Sequence, residues 1–426
     1  MIDAFLVFFL VSLIPIAFLG IGGPTEAALF TAWRWLQVVT FLGASAWVLY
    51  QLARRDWRGL VVLLLLALVV AYFGLSYSGI AWDAQIEYHR VLLLAIRYGG
   101  LTEGYRHGVV SWVLGYPPGT SLSVAFYRSL HLLSPNVAQE LLFLLWSGAF
   151  FVRHLRHVDL PGKLLFFAII LVDTRFLWHL TYFYNNLFYA LIWAELALAP
   201  LFGSPMRPWE TCGSALVLVW LRPQWEIAAI PIATGALATL LASPTWTKRL
   251  LRDVGVVTAA ALVVARLAAS YWQNAVGELG RLLNGHTVQV LDQLRTHPDF
   301  PALHVDVDTK AFMQQAPHTP ALLSKESANA VAWAYHVSVD RYPLYFAALA
   351  ALALLALVTL RRRGLAFLAP MLGPFIVMIG TAVFARSVAS YQANEWALER
   401  LQIIVPILAA GVATALHQAL RERRVS

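Results

Sequence analysis

WDAQIEYHRVLLLAIRYGGLTEGYRHGVVSWVLGYPPGTSLSVAFY, residues 82–127, is the stretch from which the fold is read. It carries more ionisable side chains than residues 1–81 together. That makes it too polar to cross a bilayer, yet it is too apolar to stay a solvated tail. We read it as a folded loop at a membrane surface, with Asp83 where the chain leaves the lipid. The rest of the chain then forms walls around that carboxylate.

Composition supports the membrane. Hydrophobic residues make up 60% of the chain and charged residues 13%, against about half and a quarter in soluble domains. Mean hydropathy is +0.66. Helices satisfy their own backbone in lipid, and the alternating short segments of a membrane barrel are absent. The expectation is an all-α polytopic membrane protein of about twelve transmembrane helices, with two extracytoplasmic loops carrying juxtamembrane helices. One cysteine, Cys212, excludes an internal disulfide framework. No Lys or Arg precedes Arg34, so the first apolar run reads as a retained span rather than a cleaved signal.

A span needs about 20 apolar residues. Twelve runs qualify, some short or broken: 4–22, 34–52, 59–79, 136–152, 163–179, 181–202, 211–221, 225–242, 253–272, 342–360, 365–385 and 400–418. Basic clusters mark the cytoplasmic side. They are Arg54, Arg55 and Arg58; Arg153, Arg156 and Lys163; Arg207; Lys248, Arg249 and Arg252; Arg361 to Arg363; and Arg421, Arg423 and Arg424. All share one side if 119–133, which Arg128 and His131 interrupt, is a surface or re-entrant helix. Both termini then face the cytoplasm of a bacterial inner membrane. The loops 80–135 and 273–341 face the periplasm. The first is expected to hold the active site and the second to act as a lid or binding cap. Net charge of +8 reflects these clusters, and no nucleic-acid partner is implied.

Within the first loop, Asp83, Glu87 and Arg90 are spaced to share a helical face. The apolar patch from Leu92 to Ile96 is then free to lie on lipid headgroups. Asp83 has two compatible readings, a general base at the membrane surface and a helix N-cap. His89 reads either as a residue that orients an acceptor or phosphate, or as an ordinary exposed histidine. Tyr116-Pro117-Pro118-Gly119 fixes a rigid turn into the next helix.

Arg222, in Leu221-Arg222-Pro223-Gln224-Trp225-Glu226, lies between two apolar runs, where a charge is expensive. It reads as a phosphate holder, as the partner of Glu226, or as a snorkelling side chain. Arg341 and Arg386 fall at the periplasmic rim and suit a phosphate or a headgroup. Asp173 and Arg175 flank a span end and are expected to pair with each other. His286, His297, His304, His318 and His336, with Asp306 and Asp308, lack a tight ligand pair. No metal is assigned, and a divalent cation has no support in the sequence.

In order and sidedness these motifs resemble the GT-C superfamily of membrane glycosyltransferases, among them the protein O-mannosyltransferases, the lipid A aminoarabinose transferases and the arabinofuranosyltransferases. Asp83 matches their acidic loop residue and Tyr116-Pro117-Pro118 their Pro-Pro turn. Thr181-Tyr182-Phe183-Tyr184-Asn185-Asn186-Leu187-Phe188 is similar to the aromatic-polar element of a later span. Asn185-Asn186 stands where relatives are frequently acidic. Three spans precede the acidic loop here, where many relatives have one, and no C-terminal soluble domain follows.

The resemblance implies an inverting transfer of a sugar, a pentose such as arabinofuranose included, from a polyprenyl-phosphate donor. The acceptor is a cell-envelope glycan, a lipid or an exported protein such as a pilin. Asp83 is the implied base, with Glu87 and His89 beside it. Arg222, Arg341 and Arg386 are the implied phosphate holders. Tyr116, Tyr184, Asn185, Gln224 and Glu226 are the implied pocket. Two other classes fit the layout, a lipid-linked sugar flippase and an O-antigen polymerase or ligase. The inverted repeat that a transporter predicts is not visible in the sequence.

Overall fold

The computed structural model describes residues 3–76, 89–106, 117–181, 185–204, 207–222, 225–243, 245–282, 342–370, 372 and 391–425. Among them the chain is mostly helical and no strand occurs. Three of the described helices are long and apolar enough to cross a membrane: Gly23–Arg55, Lys248–Ala275 and Ile403–Glu422. The other apolar helices are shorter.

The chain opens with α1 (Ala4–Ser12), followed by a 3₁₀ turn, Ile14–Phe18, with Pro15 at its start. The expected single span over 4–22 is therefore broken. Pro15 cannot supply an N–H to continue the α-helix, and Gly20, Gly22 and Gly23 take left-handed φ values that turn the chain back. Nevertheless α1 is central. Phe8 meets Phe41 and Phe126 edge-on, and Phe9 meets Phe188. A helix apolar on all sides belongs inside a protein.

Helix α2 (Gly23–Arg55) packs beside it, and α3 (Trp57–Ser76) packs on α2. The first-loop helices are α4 (Arg90–Tyr98) and α5 (Leu101–Arg106). Gly99, at φ 79°, ends α4. Val91, Leu92, Leu94 and Ala95 of α4 are buried in the protein, so this apolar face does not lie on headgroups as expected. Its neighbours are α5 and α6 (Gly119–Ser123), which gave the sequence no local signal.

Residues 119–133 form two short helices, α6 and α7 (Phe126–Ser129), rather than one. Every residue from Gly119 to Tyr127 is buried inside the protein. Gln37 of α2 pins them: its Nε2 donates to the Leu122 carbonyl at 2.6 Å and to Ser12 Oγ at 2.9 Å.

Then come α8 (Pro135–Phe150) with a π-helical turn Phe151–Leu155, α9 (Leu160–Val172), α10 (Thr174–Thr181) and α11 (Asn185–Leu198). The expected span 163–179 is broken between α9 and α10. Asp173 adopts extended backbone and accepts from Phe176 N at 2.7 Å. It thus caps α10, while the side chain of its expected partner Arg175 is outside the described set. After these follow α12 (Pro208–Leu221), α13 (Trp225–Ala242), α14 (Lys248–Leu282), α15 (Tyr342–Leu360) and α16 (Tyr391–Val425). Helix α14 runs ten residues past the expected end of its span at 272, since no proline interrupts it. At 35 residues it is about 52 Å long, well beyond a hydrocarbon core of about 30 Å.

Ion pairs gather the basic clusters at one pole of the bundle. Lys163 Nζ lies 2.5 Å from Asp56 at the α2–α3 junction. Arg153 reaches Glu210 at 2.5 Å and Asp3 at 3.4 Å. Asp159 holds Arg421 at 2.5 Å and His417 at 3.0 Å.

Candidate functional site

At the opposite pole, α12 ends on Arg222. Its backbone turns extended there, with the last helical bond from Arg222 N to the Leu218 carbonyl at 2.9 Å. The side chain is only 2% exposed, which excludes the snorkelling reading. Nη2 donates to Asn186 Oδ1 at 3.2 Å. Asn186, in the first turn of α11, is itself buried.

Gly119 completes this corner. A Cβ on Gly119 would lie 2.2 Å from the carbonyl oxygen of Trp220 and 3.1 Å from its Cβ. The turn after Pro117-Pro118 thus rests directly on the backbone two residues before Arg222. Three separate motifs, the Pro-Pro turn, the Asn-Asn element and the arginine between apolar runs, therefore meet at one place. Aromatic rings wall it: Trp220 packs edge-on against Tyr271 and Trp272 of α14, and Trp272 against Tyr105 of α5. A buried guanidinium behind a ring wall can neutralise an anion that water reaches poorly.

His89 heads α4 and is 5% exposed, so the expectation of an ordinary exposed histidine is overturned. Its Nε2 lies 2.7 Å from the Tyr127 hydroxyl of α7. Burial, with a smaller push from Arg128, lowers its pKa to about 3, leaving a neutral ring at physiological pH. Burial also raises the Tyr127 hydroxyl. A neutral imidazole–phenol pair orients by hydrogen bonding and carries no charge to a phosphate. Arg90, next in sequence, is 8% exposed, and burial lowers it to about 10.

Two carboxylates were not singled out from the sequence. Glu26, in the first turn of α2, is 1% exposed and accepts from Thr102 N at 2.9 Å, capping α5. Gly100 is needed there, because a Cβ would lie 2.4 Å from the Glu26 carboxyl carbon. Glu140, in the second turn of α8, is 5% exposed, and its Oε1 is buried with no hydrogen-bond partner among the described residues. Beside it, Gln139 donates to the carbonyls of His179 and Leu180 at 2.7 and 3.0 Å. Glu140 thus sits level with the end of α10, a few residues before Asn186. An acid inside the apolar run 136–152 was the signal available for it.

Asp83, Glu87, Tyr116, Tyr184, Gln224, Arg341 and Arg386 lie outside the described residues, as do the loop histidines and Asp306 and Asp308. Asn185 and Glu226 are helical in backbone, and their side chains are likewise outside the described set. Among the described residues no group of three His, Cys, Asp or Glu side chains is placed to hold a metal ion. No family model matches the chain, and neither a curated protein nor a solved structure matches it.

Proposed function

We propose that this protein is a GT-C-like inverting glycosyltransferase of the bacterial inner membrane, taking a sugar from a polyprenyl-phosphate donor on the periplasmic side. In this reading the chain crosses the membrane along its apolar runs, with 4–22 and 163–179 crossing as broken segments, the pole rich in ion pairs faces the cytoplasm with both termini, and the Arg222 pole faces the periplasm. Asp83 removes the acceptor hydroxyl proton. The acceptor oxygen attacks the anomeric carbon, the bond to the carrier phosphate breaks, and the released phosphate keeps the electron pair. Arg222 stabilises that phosphate, with Arg341 and Arg386 at the rim. The acceptor is a cell-envelope glycan, a lipid or an exported protein.

The supporting observation is the corner itself, where Gly119 lies against Trp220 and Arg222 bonds Asn186. The test is transfer from a panel of polyprenyl-phospho-sugars in membranes carrying wild-type or Asp83→Asn protein. Label should move from one donor to an acceptor with wild type and not with Asp83→Asn. Full activity in Asp83→Asn removes the base assignment.

A second reading, a carrier of lipid-linked sugar, draws on Glu140, because a carboxylate unpartnered among the described residues, within an apolar helix, suits proton coupling. Donor movement across vesicles without any sugar transfer, abolished by Glu140→Gln, favours it.

A further inference from the structure

A second feature lies at the other pole. The amino-terminal parts of α12 and α14 diverge from α11 and α13 there and leave a lateral cleft of about 240 Å³. Leu196, Ile232, Ala236, Val254 and Val257 supply its apolar walls. Gly235 keeps the floor tight, since a Cβ there would lie 3.1 Å from the Leu196 carbonyl. The volume falls below the 300–1,000 Å³ of ordinary small-molecule sites, and the mostly apolar lining suits a segment of a hydrocarbon chain better than a sugar-phosphate. Beside the lining residues, α14 carries an exposed apolar stripe, Val256, Val263 and Leu267, which faces lipid in a membrane-embedded helix.

The mouth is basic. Asp253 is the charged residue among those that line the cleft; Arg249 and Arg252 adjoin it and Arg207 adjoins the lining Pro208, all three exposed. Arg252 approaches the Asp253 carboxylate at 3.1 Å and Arg249 at 3.6 Å. Three arginines around one acid leave net positive charge beside an apolar slot. We propose that this cleft binds one anionic glycerophospholipid of the cytoplasmic leaflet, an acyl chain between α13 and α14 and its phosphate among Arg207, Arg249 and Arg252. The site rests on the membrane embedding and orientation proposed above and lies at the pole away from Arg222, so it is independent of any sugar donor.

Native mass spectrometry of the full chain in detergent tests this, titrating phosphatidylglycerol against phosphatidylethanolamine. Each basic residue near an anionic headgroup is worth roughly five-fold in affinity. Wild type should retain one phosphatidylglycerol per chain in preference to phosphatidylethanolamine. R249Q/R252Q should lower that preference about ten-fold or more, and A236F should lower retention of both lipids. V257F blocks the same slot from the facing wall and carries this arm if A236F folds poorly. Retention unchanged by both aromatic variants, or a preference unchanged in R249Q/R252Q, overturns the site.

Discussion

Arg222 makes the sharpest electrostatic demand on its surroundings. A guanidinium 2% exposed is tolerated only where hydrogen bonds replace water, and removing one partner of a buried charge costs several kcal/mol. Its bond to Asn186 is charge-assisted, a kind worth about 1.5–3 kcal/mol. Asn186→Ala should therefore raise the apparent KM for the lipid donor roughly ten-fold or more and leave kcat less affected. Arg222→Lys keeps the charge but loses the fork geometry and should fall in the same direction. A purely structural arginine would show instead as lost yield of folded protein with unchanged kinetics in what remains. That this arginine was costly in its setting could be read from the sequence. Its partner could not, because Asn186 lies 36 positions away and no local periodicity links the two.

Among the elements, the pair α6–α7 depends most on a single small residue. Gly119→Ala drives a methyl into the Trp220 carbonyl, and backbone cannot swing away as a side-chain tip can. Such overpacking costs about 1–3 kcal/mol. Thermal unfolding in detergent should show a clear loss for Gly119→Ala and none for Gly43→Ala, where the added methyl meets nothing within 4 Å. An equal response at both positions would mean that the contact is slack. The helices were largely legible: apolar runs over 59–79, 225–242 and 342–360 return as α3, α13 and α15 with shifts of a few residues. The failures share one cause. Hydropathy sums over a window and does not register a single backbone break, so Pro15 and Asp173 divided two expected spans. It also cannot separate apolar surface facing lipid from apolar surface facing protein, which is why the α4 face was placed on headgroups.

On the scale of the whole molecule, the ion-pair pole contains one buried cluster in which acids outnumber arginines. Asp3, Glu195 and Glu210 gather on Arg153, and His154 Nε2 lies 2.5 Å from Glu195. Burial, reinforced by Glu195, raises Asp3 from 3.8 to about 7, against the opposing pull of the Leu6 N–H and Arg153. A carboxyl whose folded pKa lies above its unfolded one binds its proton more tightly when folded. Its contribution to stability is therefore full below about pH 4 and lost as pH rises through 7. Asp3→Asn preserves an oxygen for the Leu6 cap and removes the titration. The variant should match wild type near pH 4 and be more stable near pH 8, by up to a few kcal/mol at about 1.4 per pKa unit. Comparing the two proteins at each pH cancels the opposite trend from His89, whose folded pKa is lowered. A difference that does not change with pH would place the Asp3 proton elsewhere.

The latch between Asp159 and the last helix has a consequence for how the protein is made. Thr414 Oγ1 reaches the Gly162 carbonyl at 3.3 Å, and His417 and Arg421 close on Asp159, partners separated by 258 and 262 positions. At about 5–20 residues per second, the ribosome delivers the second half of this latch roughly 10–50 s after the first. Through that interval Asp159 has its local bond from Gly162 N but neither cation of α16. The nascent chain therefore closes this latch only when α16 arrives, and a chain truncated ahead of Thr414 leaves Asp159 without either of these cations.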